Sequence, residues 1–434
     1  MKELRNAYIE SYGCSANKNN SEIIAGLLQQ VGLNVVKNLK IADIAIISTC
    51  IVKGPTEQRM RDRIERLSKI FSERLIVSGC MPDVESGIIQ SLAPSASQIG
   101  SHNISKICSA VKEISEGRKS LFLSKGNEVK LCLPKSNQNS VIGITQISEG
   151  CVGNCSYCIT KFAKGNLFSY PKEKILQNIK QDLQSGCKEI WITSQDNAAY
   201  GLDRGRYMLP ELLDSILSIK GKFMLRIGMM NPNHLKNILE KMLEYYENEK
   251  MFKFLHLPLQ SGSNKILKDM NREYKAEDFI RIVKVFREKF PSVTIATDII
   301  TGYPTESDDD FRKSMEIVKE IKPDMLNISK FWPHDRTPAS ELKQLKAGIV
   351  KKRASELMNI HLDVSLAQNM KLVGKNFECL IDNRGFWETV LARNRDYKLV
   401  ALNGRNLLGK YLNVGITEAM PHYLIGRINS KKSG

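Results

Sequence analysis

Twice along this chain, short apolar segments of strand length alternate with longer segments of helical period, and that alternation restricts the fold more than any other feature. In the first stretch, residues 7–12, 44–48 and 75–78 read as strands, with helices predicted over 21–31 and from about 57 to 71. Ile23, Ile24, Leu27 and Leu28 give the first of these helices one apolar face. Short strand–helix–strand connections require right-handed crossovers, so these strands form a parallel sheet. In the second stretch, residues 141–147, 189–193, 223–227, 254–258, 294–299 and 325–331 read as strands, with helices over 174–184, 235–246, 279–290 and 311–321. Six βα units of that length predict a partial (β/α)6 barrel. After a connecting helix over 349–370, short strands between Asn, Gly and Asp turns predict a small β-barrel or sandwich of about 60 residues. The expected fold class is therefore α/β. The expected domains are an N-terminal parallel-sheet domain over 1–120, a polar linker with one hairpin over 121–140, a barrel with its connecting helix over 141–370, and a C-terminal barrel over 371–434.

A chain of 434 residues is too long for one ordinary core. Its formal net charge of +17 points to a polyanionic partner, RNA or DNA ahead of a membrane surface, although a lysine-rich surface also serves solubility alone. No apolar run approaches the roughly 18–20 residues that span a bilayer, and the polar start Met1-Lys2-Glu3-Leu4-Arg5 is not a secretory leader. Ten cysteines without an export signal imply a reducing compartment, the cytoplasm, where thiols stay free for metals or catalysis.

One tight cysteine group stands out. Cys151, Cys155 and Cys158 lie within eight residues on a loop directly after the first barrel strand. Zinc sites usually draw four ligands as two pairs, and no second pair follows. A 4Fe-4S cluster normally has four cysteine ligands, so three leave one iron open to a small chelating molecule. Such a molecule would sit at the carboxyl mouth of the barrel, where polar strand-end residues gather. Ser194, Gln195, Asp196, Arg226, Gln260, Ser261 and Asp298 are the candidates, with Tyr157 beside the cysteines.

Three further cysteines share a pattern. Cys14, Cys50 and Cys80 each follow one of the first three strands by two residues. In a parallel sheet all three emerge at the same carboxyl edge, where α/β folds build their sites. That geometry predicts a second three-cysteine cluster, although buried cysteines at strand ends are also common packing residues. Cys108, Cys132, Cys187 and Cys379 lack such partners and read as core or surface thiols. In the C-terminal segment, Arg384, Trp387, Arg393, Arg395, Tyr397 and Lys398 mix basic and aromatic groups, as phosphate contact and base stacking require.

The Cys-x3-Cys-x2-Cys spacing, with Tyr157 before the last cysteine, resembles the signature of radical S-adenosylmethionine (SAM) enzymes. Nearly the whole chain is similar to the radical SAM methylthiotransferases. Tyr12-Gly13-Cys14-Ser15-Ala16-Asn17, Ser48-Thr49-Cys50-Ile51-Val52 and Ser78-Gly79-Cys80-Met81-Pro82 resemble that family's three N-terminal cysteine motifs. Leu255-His256-Leu257-Pro258-Leu259-Gln260-Ser261-Gly262-Ser263 resembles its barrel motif, and the C-terminal segment resembles an RNA-binding TRAM domain. The loop Lys164-Gly165-Asn166-Leu167-Phe168-Ser169-Tyr170-Pro171, with Gly228-Met229-Met230-Asn231-Pro232 and Thr294-Ile295-Ala296-Thr297-Asp298, resembles the archaeal and eukaryotic branch, which acts on threonylcarbamoyladenosine in tRNA. Lys164 departs from the family's usual arginine and cannot make the same bidentate contact.

The resemblance implies two 4Fe-4S clusters facing one cavity. Cys151, Cys155 and Cys158 would ligate the one that cleaves SAM to a 5′-deoxyadenosyl radical, and Cys14, Cys50 and Cys80 the one that holds or relays sulfur. Tyr157, Ser194, Gln195, Asp196, Arg226, Gln260 and Asp298 would contact SAM, and Arg393, Arg395, Tyr397 and Lys398 would contact RNA. The product would carry sulfur and a methyl group at carbon 2 of the adenine, the methyl coming from a second SAM. The implied partners are tRNA, an electron donor such as a flavodoxin or ferredoxin, and a sulfur source, with no membrane. Isopentenyladenosine in tRNA and a ribosomal protein are the substrates of neighbouring branches, and a non-catalytic iron–sulfur RNA-binding module is the alternative of another class.

Overall fold

The computed structural model describes residues 4–51 and 54–429, with residues 54–56 described for their backbone alone. The polar start Met1–Glu3, and Val52 of the second cysteine motif, lie outside the described residues. The first sheet is built from β1 (Asn6–Ser11), β2 (Asn34–Val36), β3 (Ile44–Thr49), β4 (Leu75–Gly79), β5 (Ser97–Gly100) and β6 (Leu121–Phe122), all parallel in the order β2-β1-β3-β4-β5-β6. Helices α1 (Ser15–Gln30) and α4 (Ile107–Ser115) pack Ile24, Leu28 and Ile107 on one face, against Ile44, Ile46 and Ile76. Helices α2 (Gly54–Phe71) and α3 (Cys80–Leu92) pack Met60, Ile64 and Ile89 on the other, against Ala45, Ile47 and Val77. A central strand covered on both faces needs an unbroken apolar run, which Ile44-Ala45-Ile46-Ile47 supplies.

The register levels the strand ends. Ser11 pairs with Ser48 and Ser48 with Ser78, so β1, β3 and β4 finish side by side and their loops start from one edge.

The second unit runs β7 (Ile142–Gln146), β8 (Ser148–Glu149), α5 (Thr160–Lys164), β9 (Phe168–Ser169), α6 (Lys172–Gln184), β10 (Glu189–Thr193), α7 (Leu209–Leu217), β11 (Met224–Ile227), α8 (Pro232–Leu235) and α9 (Leu239–Glu247). It continues through β12 (Phe254–His256), α10 (Asn264–Asp269), α11 (Ala276–Lys289), β13 (Thr294–Thr301), α12 (Asp308–Ile321), β14 (Met325–Lys330) and α13 (Ala347–Met370). Strands β7, β10 and β11 form one parallel sheet and β12, β13 and β14 another, joined by a parallel bridge between Leu225 and Met251. No ladder links β14 back to β7 among the described strands, so the barrel is partial. All six predicted barrel strands are present. The helix expected over 235–246 is instead two, because Ile238 leaves helical geometry (φ −124°) and starts α9.

The expected hairpin in the 121–140 stretch is replaced by β6, a sixth parallel strand. The residues that follow form a strap rather than a free tether. A Cβ on Gly26 of α1 would lie 2.4 Å from the backbone of Pro134 and Lys135, so only glycine admits this approach. Lys135 then bonds the Ile144 carbonyl at 2.9 Å and pairs with Asp182 at 3.2 Å.

The C-terminal unit is a closed barrel of β15 (Asn376–Arg384), β16 (Thr389–Asn394), β17 (Leu399–Asn403), β18 (Tyr411–Ala419) and β19 (Leu424–Ile428), in the order β15-β16-β17-β19-β18. Leu380 and Tyr397 pack on Val141, Met224, Phe252 and Phe254, residues at the amino ends of the central strands. The small barrel thus sits at the base of the large one, opposite its mouth. Among the described residues no helix is long and apolar enough to cross a membrane.

Candidate metal centres and active site

At the edge of the first sheet, Cys14 caps α1, Cys50 follows β3, and Cys80 opens α3. Two glycines let the backbone converge there. Gly13 (φ +104°) lies so close to Cys50 that an added Cβ would meet its Cβ at 2.7 Å, and on Gly79 (φ +100°) it would meet the Thr49 carbonyl oxygen at 2.5 Å. Asn17 stitches the three loops together. Its amide donates to the carbonyls of Tyr12 (3.0 Å) and Thr49 (2.8 Å), and its Oδ1 lies 3.8 Å from Cys80 Sγ. Burial pushes the Cys80 thiol up to about 12, with Cys14 and Cys50 close enough to add to the shift.

The second group sits at the barrel mouth. Cys151 and Cys155 both face Gly153, whose added Cβ would lie 3.5 and 3.8 Å from their sulfurs. Burial, then Asp196, pushes Cys151 up to about 11, and Cys155 and Cys158 contribute in turn. The loop is held from below by the turn after α10. Ser156 N donates to the Met270 carbonyl at 3.1 Å, Asn271 Nδ2 to the Asn154 carbonyl at 2.8 Å, and Arg272 to Cys155 Sγ at 3.3 Å. Arg272 also donates to Asn231 Oδ1. Asn231 is bound by Asp196, which accepts from its backbone at 3.1 Å and its side chain at 2.9 Å. Asp196 therefore acts on the cysteine loop through Asn231 and Arg272, two residues that strand-end reasoning did not single out.

Between the two groups lies a buried ion cluster. Glu149, just before the second cysteine loop, accepts from Lys130 and from Lys164, each at 2.7 Å, with His102 Nδ1 at 3.6 Å. Burial alone would raise this carboxyl, but Lys130, Lys164 and His102 outweigh it and hold Glu149 well below the usual carboxylate range. Burial opposes the Lys164 charge, yet Glu149, and after it Cys80, keeps it protonated. Ala163, its neighbour, packs with Ile51, Cys80 and Ile159. Lys164 is thus a buried cation facing the Cys14/Cys50/Cys80 group from the other lobe.

The remaining expected residues divide between mouth and base. Ser194 Oγ and Gln195 Oε1 are buried at the end of β10 with no hydrogen-bond partner among the described residues. Gln260 (φ +65°) bridges to β13 through Asp298 and Ile300, and Ser261 Oγ accepts from Ser263 N at 3.2 Å. Asp298 meets His256 Nε2 at 2.6 Å and Asn327 Nδ2 at 2.9 Å. Tyr157 packs against Ile266, Met270 and Tyr303 behind the cysteine loop.

Arg226 departs from expectation. Its guanidinium lies over Trp191, Phe254 and Tyr397 at 4.7, 4.7 and 5.3 Å, toward the small barrel rather than the cysteines. Among the expected RNA contacts, Tyr397 is corrected likewise. Tyr397 is 3% exposed and cannot stack on a base. Arg393 pairs with Asp382 at 3.5 Å, Arg395 donates to the carbonyls of Glu247 and Asn248 at 3.3 and 3.2 Å, and Lys398 pairs with Asp324. Tyr397, Lys398 and the exposed Arg395 reach the central barrel, whereas Arg393 is engaged within the small one.

Each group offers three free cysteine thiols, the donor type that holds iron–sulfur clusters. Among the described residues no three His, Cys, Asp or Glu side chains gather tightly enough to share one ion. Cluster thiolates bind separate irons and stand apart by the width of the cluster. Ligation would need each thiol deprotonated, so assembly would release protons.

Comparison with known proteins agrees. Residues 145–318 match the radical SAM superfamily and residues 6–100 match the uncharacterized protein family UPF0004. Among solved structures, the radical SAM methyltransferase TsrM of Kitasatospora setae, with cobalamin and a [4Fe-4S] cluster bound, superposes with a TM-score of 0.58 at 12% identity, covering 78% of this chain and 77% of that one. The fold and the mouth cysteines define a radical SAM enzyme. A probable threonylcarbamoyladenosine tRNA methylthiotransferase of Pyrococcus abyssi is 40% identical over 426 residues, 98% of this chain and 99% of its own length. A Homo sapiens threonylcarbamoyladenosine tRNA methylthiotransferase is 33% identical over 98% of this chain and 74% of its own. The chain belongs to the threonylcarbamoyladenosine tRNA methylthiotransferase family.

Proposed function

We propose that this protein inserts sulfur and a methyl group at carbon 2 of threonylcarbamoyladenosine beside the tRNA anticodon. The observation that carries this reading is the pair of three-cysteine groups on facing carboxyl edges, one per lobe, with a buried cation between them. Cys151, Cys155 and Cys158 would hold one 4Fe-4S cluster, and Cys14, Cys50 and Cys80 the other. When bound, the clusters and SAM would supply the radical, the sulfur and the methyl group.

The chain's own residues do the positioning. Ser194 Oγ and Gln195 Oε1, unpartnered at the strand end, are available to a polar ligand there. Asp196, Asn231 and Arg272 fix the Cys155 side of the loop. Lys164 offers a positive charge to anionic sulfur at the Cys14/Cys50/Cys80 group without needing the bidentate geometry of arginine. On the small barrel, Arg384, Phe386 and Trp387 point outward at the β15–β16 hairpin, Trp387 being 99% exposed, and are the better candidates for RNA contact. The reading also calls for an electron donor such as a flavodoxin or ferredoxin, a sulfur source and a cytoplasmic setting. It divides the chain into sulfur-handling, radical and RNA-binding parts near the boundaries expected from sequence.

The test is nucleoside mass spectrometry of tRNA incubated anaerobically with the reconstituted protein, SAM, sulfide and reductant. Methylthiolated threonylcarbamoyladenosine is the expected product, and unmodified tRNA despite SAM cleavage would overturn the substrate assignment.

A further inference from the structure

A cavity of about 370 Å³ opens where the two lobes meet, lined by α2 and α3 on one side and by the loop after β14 on the other. Two of its lining residues belong to the apolar cluster around Cys80: Ile159, which follows Cys158, and Val84, in the first turns of α3. The facing loop is pinned in place. Phe331 N donates to the Thr301 carbonyl at 2.8 Å, Thr337 Oγ1 to the His334 carbonyl at 2.7 Å, and Ala339 N to the Ser156 carbonyl, within the cysteine loop, at 2.9 Å.

The walls differ in chemistry. Trp332 leaves 45% of its surface open on the loop side, although a ring that merely wedged two lobes together would be buried. Arg336 stands exposed on the same loop in the left-handed region (φ +70°), which most side-chain-bearing residues avoid. Opposite, Arg61 bridges Glu57 at 2.6 Å and Glu85 at 3.0 Å, so that cation is already engaged. An indole face, the carboxylates of Glu57, Glu85 and Asp335 as acceptors of N–H groups, and the Arg336 guanidinium outside the Arg61 pairs together fit a flat base with amide and carboxylate groups on its substituent. The volume lies in the range of small-ligand pockets.

Resting on the methylthiotransferase reading, we propose that this cavity receives the target nucleoside, its base stacked on Trp332 and the carboxylate of its threonylcarbamoyl group paired with Arg336. Stacking serves any adenine, whereas the arginine distinguishes the substituted base from the plain one.

The experiment measures binding of the reconstituted full chain to anticodon stem-loop RNA with and without the threonylcarbamoyl group. Wild type is expected to prefer the modified RNA. W332A should weaken both by about tenfold or more, the loss of one stacked base, and W332F should stay close to wild type. R336Q should weaken the modified RNA alone and erase the preference. Unchanged iron per chain in each variant separates these losses from misfolding. Wild-type preference that survives in both W332A and R336Q overturns the proposal, as does equal loss in W332F and W332A, which marks a packing role. Wild type that binds neither RNA, or both alike, overturns the substrate reading itself.

Discussion

The mouth and the base of the central barrel use the same side-chain types to opposite ends. At the base, Arg226, Arg395, Lys398 and Tyr397 meet rings, carbonyls and a carboxylate across the seam with the small barrel, and Arg393 pairs with Asp382 inside that barrel. At the mouth, polar groups are held but not used up. Ser194 and Gln195 keep unpartnered atoms, and Lys130 and Lys164 share the Glu149 carboxylate, with Lys164 close to Cys80. Contacts across a seam make a joint, and polar groups gathered around cysteines make a site; buried atoms without a hydrogen-bond partner among the described residues occur at both, Arg226 Nε and Arg393 Nε among them. Fold and composition alone do not tell the two apart.

The largest expected effect breaks the mouth. Glu149→Ala leaves two buried lysines without their counter-ion, and removing one member of a buried charge set costs about 3–5 kcal/mol. Denaturant unfolding should show it, and a loss under 1 kcal/mol would mean that the lysines already reach solvent. At the base, Tyr397→Ala removes a buried ring from between Phe252 and Phe254 and should cost about 3–5 kcal/mol. Because that ring is inside the seam, the loss belongs to stability rather than to RNA contact. Trp387→Ala should do the reverse, costing about 1–3 kcal/mol in RNA affinity and almost nothing in stability.

The smallest effect is a pH slope at the seam. Burial, then Asp382, pushes Glu189 up to about 8, so the folded chain keeps a proton that the unfolded chain releases near pH 4–5. Folding stability from this group is therefore full below that range and falls as pH rises through about 8. Glu189→Gln should flatten that fall in melting curves between pH 6 and 9, and an unchanged slope would assign the titration elsewhere.

Much of the mouth was legible because strand ends in a parallel sheet obey local rules. Cys14, Cys50 and Cys80 could be placed together from strand spacing alone, and the register of Ser11, Ser48 and Ser78 delivers that geometry. Lys164 could not be understood the same way. Its partner Glu149 lies 15 residues before it, Lys130 comes from the strap, and Cys80 from the other lobe. The strap itself read as a linker because its lysines are polar in composition, although Lys130 is buried and paired. Tyr397 and Arg226 misled for a related reason: a basic and aromatic mixture has one composition whether it faces RNA or another domain. Only the packing of Tyr397 on Phe252 and Phe254 decides between them.

The most direct measurement is iron content together with SAM cleavage in anaerobically reconstituted protein carrying Cys14, Cys50 and Cys80 all replaced by Ala. Wild type should hold about eight irons per chain, as two 4Fe-4S clusters require. The triple variant should hold about half as many and still cleave SAM, because the mouth cysteines and their Arg272 support are untouched. Iron that stays at the wild-type level, or cleavage that vanishes with the first cysteine group, would contradict two separate centres with divided roles.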